Sequence, residues 1–160
     1  RYEAVFTPSA VASLINATLG PASLLDRAMG FDAGAEGVSF ITPPLEQLGE
    51  LAIGPSMFSL TANRSHPGGL ATVKWDDEGV EPEDFTIINQ GLVHDFQTSR
   101  EQAAWLKPWY DKQGWAVRSH GCAWSQAADR LTTHAGQRWQ KEANFGALMV
   151  EHGDVRTGVT

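Results

Sequence analysis

The sequence predicts an α+β fold, an antiparallel, barrel-like β-sheet with a broken N-terminal helix packed on it. Three observations predict it. Val11, Leu14, Ile15 and Leu19 recur at helical spacing, short apolar runs separated by Gly, Pro, Asn and Asp fill residues 48–96, and Asn89-Gln90-Gly91 joins two of those runs as a hairpin. The 160 residues, 42% hydrophobic and 19% charged, suit one domain with its own core, outside the disordered and collagenous classes.

The first helix starts at Thr7, a good N-cap, with Pro8 at the first helical position where its missing N–H costs nothing. Gly20-Pro21 is expected to end or kink it, and Ala22, Leu25 and Met29 extend the apolar face to a stop at Gly30. Residues 30–37 read as a flexible connection, with neither Walker nor GxGxxG spacing. Strands are expected at Leu48–Ile53, Met57–Ala62, Leu70–Trp75, Phe85–Ile88 and Leu92–Phe96. Thr98-Ser99-Arg100-Glu101 has capping-box form and opens a helix that Pro108 limits. The last third is Trp-rich and irregular until Phe145–Val150, which reads as a final buried strand.

Twelve basic against nineteen acidic residues give a net charge of −7, which repels phosphate backbones and removes the usual electrostatic term for nucleic-acid binding. No apolar run has the length of a membrane span. Cys122 is the only cysteine, so no disulfide forms within the chain and a reducing, cytoplasmic setting fits. The start at Arg1 and the stop at Thr160, just after an apolar run, suggest a piece of a longer protein.

Candidate chemistry is sparse. Asp76, Asp77, Glu78, Glu81, Glu83 and Asp84 place six carboxylates within nine residues, without EF-hand spacing, so a solvated acidic turn is the commoner role than a cation site. His120-Gly121-Cys122 offers an imidazole and a thiol, but structural zinc needs four ligands. A Cys122 nucleophile with His120 or His134 as base is the enzymatic alternative, and a small buried cysteine the bland one. His66 and His94 lack spacing partners and read as turn and strand-end residues. Six tryptophans between Trp75 and Trp139 suit either a stacking platform for a binding module or core packing, with Trp105 and Trp109 at i, i+4 spacing.

Ser59-Leu60-Thr61, His66-Pro67-Gly68-Gly69, Asp76-Asp77-Glu78-Gly79-Val80, Ile88…Gly91-Leu92-Val93 and Thr98-Ser99-Arg100…Ala103 together form a pattern that resembles the C-terminal half of the TldD/PmbA family. That family is known as modulators of DNA gyrase and as metallopeptidase-type proteins. The Asp76–Gly79 turn is the most specific mark, and Asn144-Phe145…His152-Gly153 extends the resemblance over nearly the whole chain.

The resemblance implies that residues 1–160 are one domain, a C-terminal-domain fragment whose N-terminal α/β domain and extreme C-terminus are missing. The TldD branch carries an HExxxH zinc motif just after a segment resembling Phe6–Ile15, and here Asn16-Ala17-Thr18-Leu19-Gly20-Pro21 stands in its place. Asn16 replaces the first His, Ala17 the Glu and Pro21 the second His, so no zinc ligand or general base remains. A further family cysteine, near the C-terminus, is not matched by Cys122. The chain therefore looks like the PmbA/TldE branch, a non-catalytic subunit without a cofactor of its own. The resemblance implies a heterodimer with a TldD-like zinc protease that processes unfolded peptides. Trp109 and Trp115, in the segment from Trp105 to Trp124, are the candidate partner surface.

Overall fold

The computed structural model describes residues 4–31, 38–65, 67, 72–125, 133–135 and 148–150. Helix α1 spans Pro8–Ala22, with the Thr7 side chain accepting a hydrogen bond from the Ala10 N–H at 3.3 Å. Val11, Ile15 and Leu19 form its inward stripe, while Leu14 remains 56% exposed. The stripe thus follows i, i+4, i+8 spacing, one residue narrower than the pattern predicted.

The break expected at Gly20-Pro21 falls later. α1 runs through Pro21, and the turn at Ser23-Leu24 separates it from α2, Leu25–Ala28. A proline this close to a helix end removes only one of the last intrahelical bonds. Local donors close the end instead: Ser23 N–H reaches Leu19 O at 2.9 Å and Ser23 Oγ–H reaches Gly20 O at 2.8 Å. A distant residue completes it, because the Gln97 amide donates to Gly20 O at 2.9 Å and to Ser23 Oγ at 2.7 Å. Backbone bonds between Ser23, Leu25 and Gln97 add a parallel bridge there.

After the one-turn helix α3, Pro44–Gln47, come strands β1, Leu60–Ala62, β2, Phe85–Asn89, and β3, Leu92–Val93. β2 and β3 form the predicted antiparallel hairpin through a two-residue turn. Gln90 and Gly91 have φ of 48° and 84°, the positive values that a type I′ turn requires. A β6 strand, Leu148–Val150, completes an antiparallel sheet in the order β3-β2-β1-β6, and β4, Ala123–Ser125, pairs separately with β5, Thr133–Ala135. This last pair falls in the stretch read as irregular.

The sheet does not close into a barrel among the described residues. Its outer strands β3 and β6 do not pair with each other, and closure needs a stagger that strands of two to five residues do not supply. Residues 48–53, expected as a strand, lie along β3 through Val93 N–H to Leu51 O and Ile53 N–H to Gly91 O. Gly49 at φ 77° and Pro55 cut that extended run short, leaving one bridge, Ala52 to Leu92. Residues 72–75 form no strand; Val73 N–H donates to Arg64 O at 3.1 Å before a bend at Lys74-Trp75. Residues 70–71 and 145–147 lie outside the described residues.

Helix α4, Arg100–Trp105, begins one residue later than predicted. Ser99 is the cap and Gln102 closes the capping box, the reciprocal pair of Ser99 Oγ with Gln102 N–H and Gln102 Oε1 with Ser99 N–H. Pro108 does not end the helical stretch; it enters the first turn of α5, Lys107–Gln113, where proline is tolerated.

Two cores result. One joins α2 to α4 and α5 through Leu25, Ile41, Leu48, Phe96, Leu106, Trp109 and Tyr110. The other lies between α1 and the sheet and contains Ile15, Leu60, Phe85, Ile87, Ile88 and Cys122. Successive strand residues face opposite ways, so the complete burial of both Ile87 and Ile88 means that β2 is covered on both sides. No helix among the described residues is long and apolar enough to cross a membrane.

Candidate functional site

Positions 16, 17 and 21 all lie in α1. Ala17 is exposed and Pro21 half-buried, and neither side chain has a donor atom for a metal. The side chain of Asn16 lies outside the described residues. Zinc does not fit this segment, because at most one of the three positions carries any oxygen or nitrogen ligand and structural or catalytic zinc takes three or four. Among the described residues no three His, Cys, Asp or Glu side chains converge as a metal-holding group.

The Asp76–Gly79 turn is built around one carboxylate. Asp76 is 6% exposed, and its Oδ1 accepts the N–H groups of Glu78 and Val80 at 2.9 and 2.8 Å. Its Oδ2 accepts the Ala123 N–H at 3.0 Å, which ties the turn to the start of β4. Backbone bonds of Asp76 N–H to Val80 O and Gly79 N–H to Asp76 O close the loop, and Gly79 has φ 72°, where L side chains are strained. Glu78 turns outward and accepts the Arg100 N–H at 2.7 Å, so an acid caps the first turn of α4. Asp77 is exposed and its N–H donates to Ala123 O at 3.2 Å.

His120 sits in a network of which the sequence marked only Glu83, as part of the acidic run. Its Nδ1 lies 2.9 Å from Glu83 Oε1 and its Nε2 2.9 Å from Asp95 Oδ2. Tyr110 donates to Asp95 Oδ1 at 3.0 Å, Phe85 stacks on the imidazole at 4.1 Å, and Arg118 pairs with Glu83. These partners stand 25 and 37 residues from His120 in the chain, so no local spacing pointed to them. Burial works to lower the His120 pKa, but the hydrogen bonds and charges of Asp95 and Glu83 outweigh it and hold it above 6.5. Burial and the neighbouring carboxylate raise the Tyr110 phenol, which stays a donor.

This arrangement does not activate Cys122. The thiol is fully buried, and burial pushes it up to about 12, opposite to the depressed value of a nucleophilic cysteine. Both His120 ring nitrogens are directed at carboxylates. His134 is in β5, with its side chain outside the described residues, as is His66. His94 lies edge-on to Trp109 and Trp115, and burial lowers its pKa against the pull of Asp95.

The two candidate partner tryptophans separate. Trp109 is 8% exposed, with its ring against Gly49, where a Cβ would come within 3.0 Å of the indole. Trp115 is 41% exposed beside Val117. Trp105 packs partly buried on the same core as Trp109.

A helix lies on an open antiparallel sheet, and hydrogen bonds from the Asp76–Gly79 turn reach both β4 and α4. The model of the PmbA/TldA metallopeptidase C-terminal domain matches residues 1–154, and the chain belongs to the PmbA/TldD family. Among solved structures it is similar to TldE from Thermococcus kodakarensis, at 21% identity and a TM-score of 0.55, covering 89% of this chain and 26% of that one. It is also similar to a candidate modulator of a DNA gyrase from Thermotoga maritima, at 19% identity and a TM-score of 0.52, covering 75% of this chain and 23% of that one. The chain therefore spans about a quarter of the length of these neighbours, and at such identities the likeness is one of fold. No curated protein matches.

Proposed function

We propose that this chain is the C-terminal-domain piece of a PmbA/TldE-like subunit, non-catalytic by itself, that pairs in the cytoplasm with a TldD-like zinc protease acting on unfolded peptides. The observation that carries the reading is the run Asn16-Ala17-Thr18-Leu19-Gly20-Pro21 on α1, where the TldD branch carries HExxxH. Without a carboxylate at 17 no side chain there takes a proton from water, and without histidine at 16 and 21 no imidazole holds the metal that would polarise it. The value of such a subunit lies in its surface, and Trp115 with Val117 is the exposed apolar pair in the segment suited to a partner.

Metal analysis and peptidase assays on the purified full-length protein, alone and mixed with a TldD-like partner, test this. The expected result is co-purification of the two, with peptide hydrolysis and zinc confined to preparations containing the partner. One tightly held zinc per chain, or hydrolysis by the chain alone, would overturn the reading.

A further inference from the structure

Three buried charged side chains, drawn from three separate stretches, close on the five residues 119–123. Arg64, Asp76 and Asp95 are 3%, 6% and 3% exposed, and His120 belongs to the stretch itself. Ser119 Oγ–H donates to Thr98 O at 2.9 Å, Arg64 Nη1–H donates to Gly121 O at 2.8 Å, and Ala123 N–H donates to Asp76 Oδ2 at 3.0 Å. Gly121, at φ 73°, passes so close to Pro82 that a Cβ would come within 2.6 Å of its Cα. Cys122, fully buried in the core beneath α1, lies between these anchors.

His120 holds the middle of this stretch, and its geometry specifies a protonation state. Both ring nitrogens lie 2.9 Å from carboxylate oxygens, which only accept hydrogen bonds, so both must carry a proton. Neutral imidazole has one N–H, and its other nitrogen would turn a lone pair on an anionic oxygen. The charges give the same answer. Glu83, Asp95 and Asp76 supply three negative charges around the stretch and Arg64 and Arg118 two positive ones, so an imidazolium brings the group to neutrality. Tyr110 faces Asp95 as a neutral donor, Cys122 stays a neutral thiol, and burial lowers the pKa of His94, the chain neighbour of Asp95, against the pull of that carboxylate. Phe85, stacked on the ring at 4.1 Å, favours a cation over its face.

We propose that residues 119–123 form a protonation-controlled latch, closed while His120 is an imidazolium between Glu83 and Asp95 and released when the ring loses a proton, which frees the start of β4 and uncovers Cys122. The sign follows from linkage. The closed form holds His120 above its ordinary 6.5, so the stabilisation is complete below 6.5 and is lost as pH rises through the closed-form value.

The test is amide hydrogen exchange and ring-nitrogen NMR on the full chain at pH 6 and pH 9. The expected result is a doubly protonated His120 ring at pH 6. The local opening constant of the Gly121 and Ala123 amides should rise at least several-fold between pH 6 and pH 9, as the stabilisation by the imidazolium is lost, while Ile87 and Ile88 keep their protection. His120→Gln should show weaker, pH-independent protection at 121 and 123. If that variant does not fold, Glu83→Gln keeps the imidazole and should move its midpoint downward. A singly protonated ring at pH 6, equal protection of 121 and 123 at both pH values, loss of protection shared equally with β2, or an unmoved midpoint in Glu83→Gln would each overturn the latch.

Discussion

Replacing Asp76 by alanine removes the acceptor for three backbone N–H groups at 2.8 to 3.0 Å, and the cost is calculable donor by donor. The Glu78 and Val80 donors sit in a partly exposed turn that water reaches, so each loses about 1 kcal/mol, the net worth of an ordinary hydrogen bond. Ala123 is fully buried, and its N–H has no water to turn to, which adds about 2–3 kcal/mol. The sum is about 4–5 kcal/mol, at the upper end of what single substitutions cost. Asp76→Asn should cost less, about 2–3 kcal/mol, because the amide oxygen still serves Glu78 and Val80 while its NH₂ group opposes the Ala123 donor. Urea unfolding at constant m-value measures both. A loss below about 1 kcal/mol for Asp76→Ala, or an Asn variant less stable than the Ala variant, would refute the assignment of the carboxylate as the centre of the turn.

Glu78→Ala removes the outward contact to Arg100 N–H and should cost about 1 kcal/mol; calcium or magnesium raising the melting temperature of the parent but not of this variant would instead make the turn a cation site. Gly91→Ala should cost about 3 kcal/mol or more, since the added Cβ would lie 2.3 Å from Gly54 O at φ 84°, and thermal melting against the parent checks it. Cys122 should resist a thiol-specific disulfide reagent at neutral pH until urea unfolds the chain, whereas fast labelling of the native protein would contradict its burial. Trp109→Ala should destabilise by about 3–5 kcal/mol by opening a cavity in the α2–α5 core, while Trp115→Ala should leave unfolding within about 1 kcal/mol of the parent and weaken capture of a TldD-like partner.

What the sequence made legible were features that short-range chemistry decides. Thr7-Pro8 admits one helix start, and Gly91 needs the positive φ of a hairpin turn. The Asp76–Gly79 turn carries its acceptor and its glycine within four residues. The capping box slipped by one residue because Thr98 with Glu101 and Ser99 with Gln102 are chemically near-equivalent pairs, and here Glu101 is exposed while the buried Gln102 closes the box. The run 48–53 has the apolar content of a strand, but Gly49 takes a turn conformation that the composition left open. Glu83 and Asp95 read as ordinary charges because a carboxylate in a solvated loop and one buried against an imidazole look alike until the chain folds. Trp109 and Trp115 have identical side chains six residues apart, and packing against Gly49 and the α2–α5 core puts the first inside while the second stays at the surface.

The clasp of the Gln97 amide on Gly20 and Ser23 sets an order of events during synthesis. The donor is 77 residues downstream of the helix end that it closes. At about 5–20 residues per second, a ribosome needs about 4–15 s to make that stretch after Gly20 has been added. Throughout that interval the carboxyl end of α1 lacks its long-range donor, and Leu25 and Ala28 of α2 have no Phe96, Leu106 or Tyr110 to pack on. The nascent chain therefore carries this apolar segment without its final covering for seconds. Emergence of residues 93–110 ends that window by delivering the clasp and the core together.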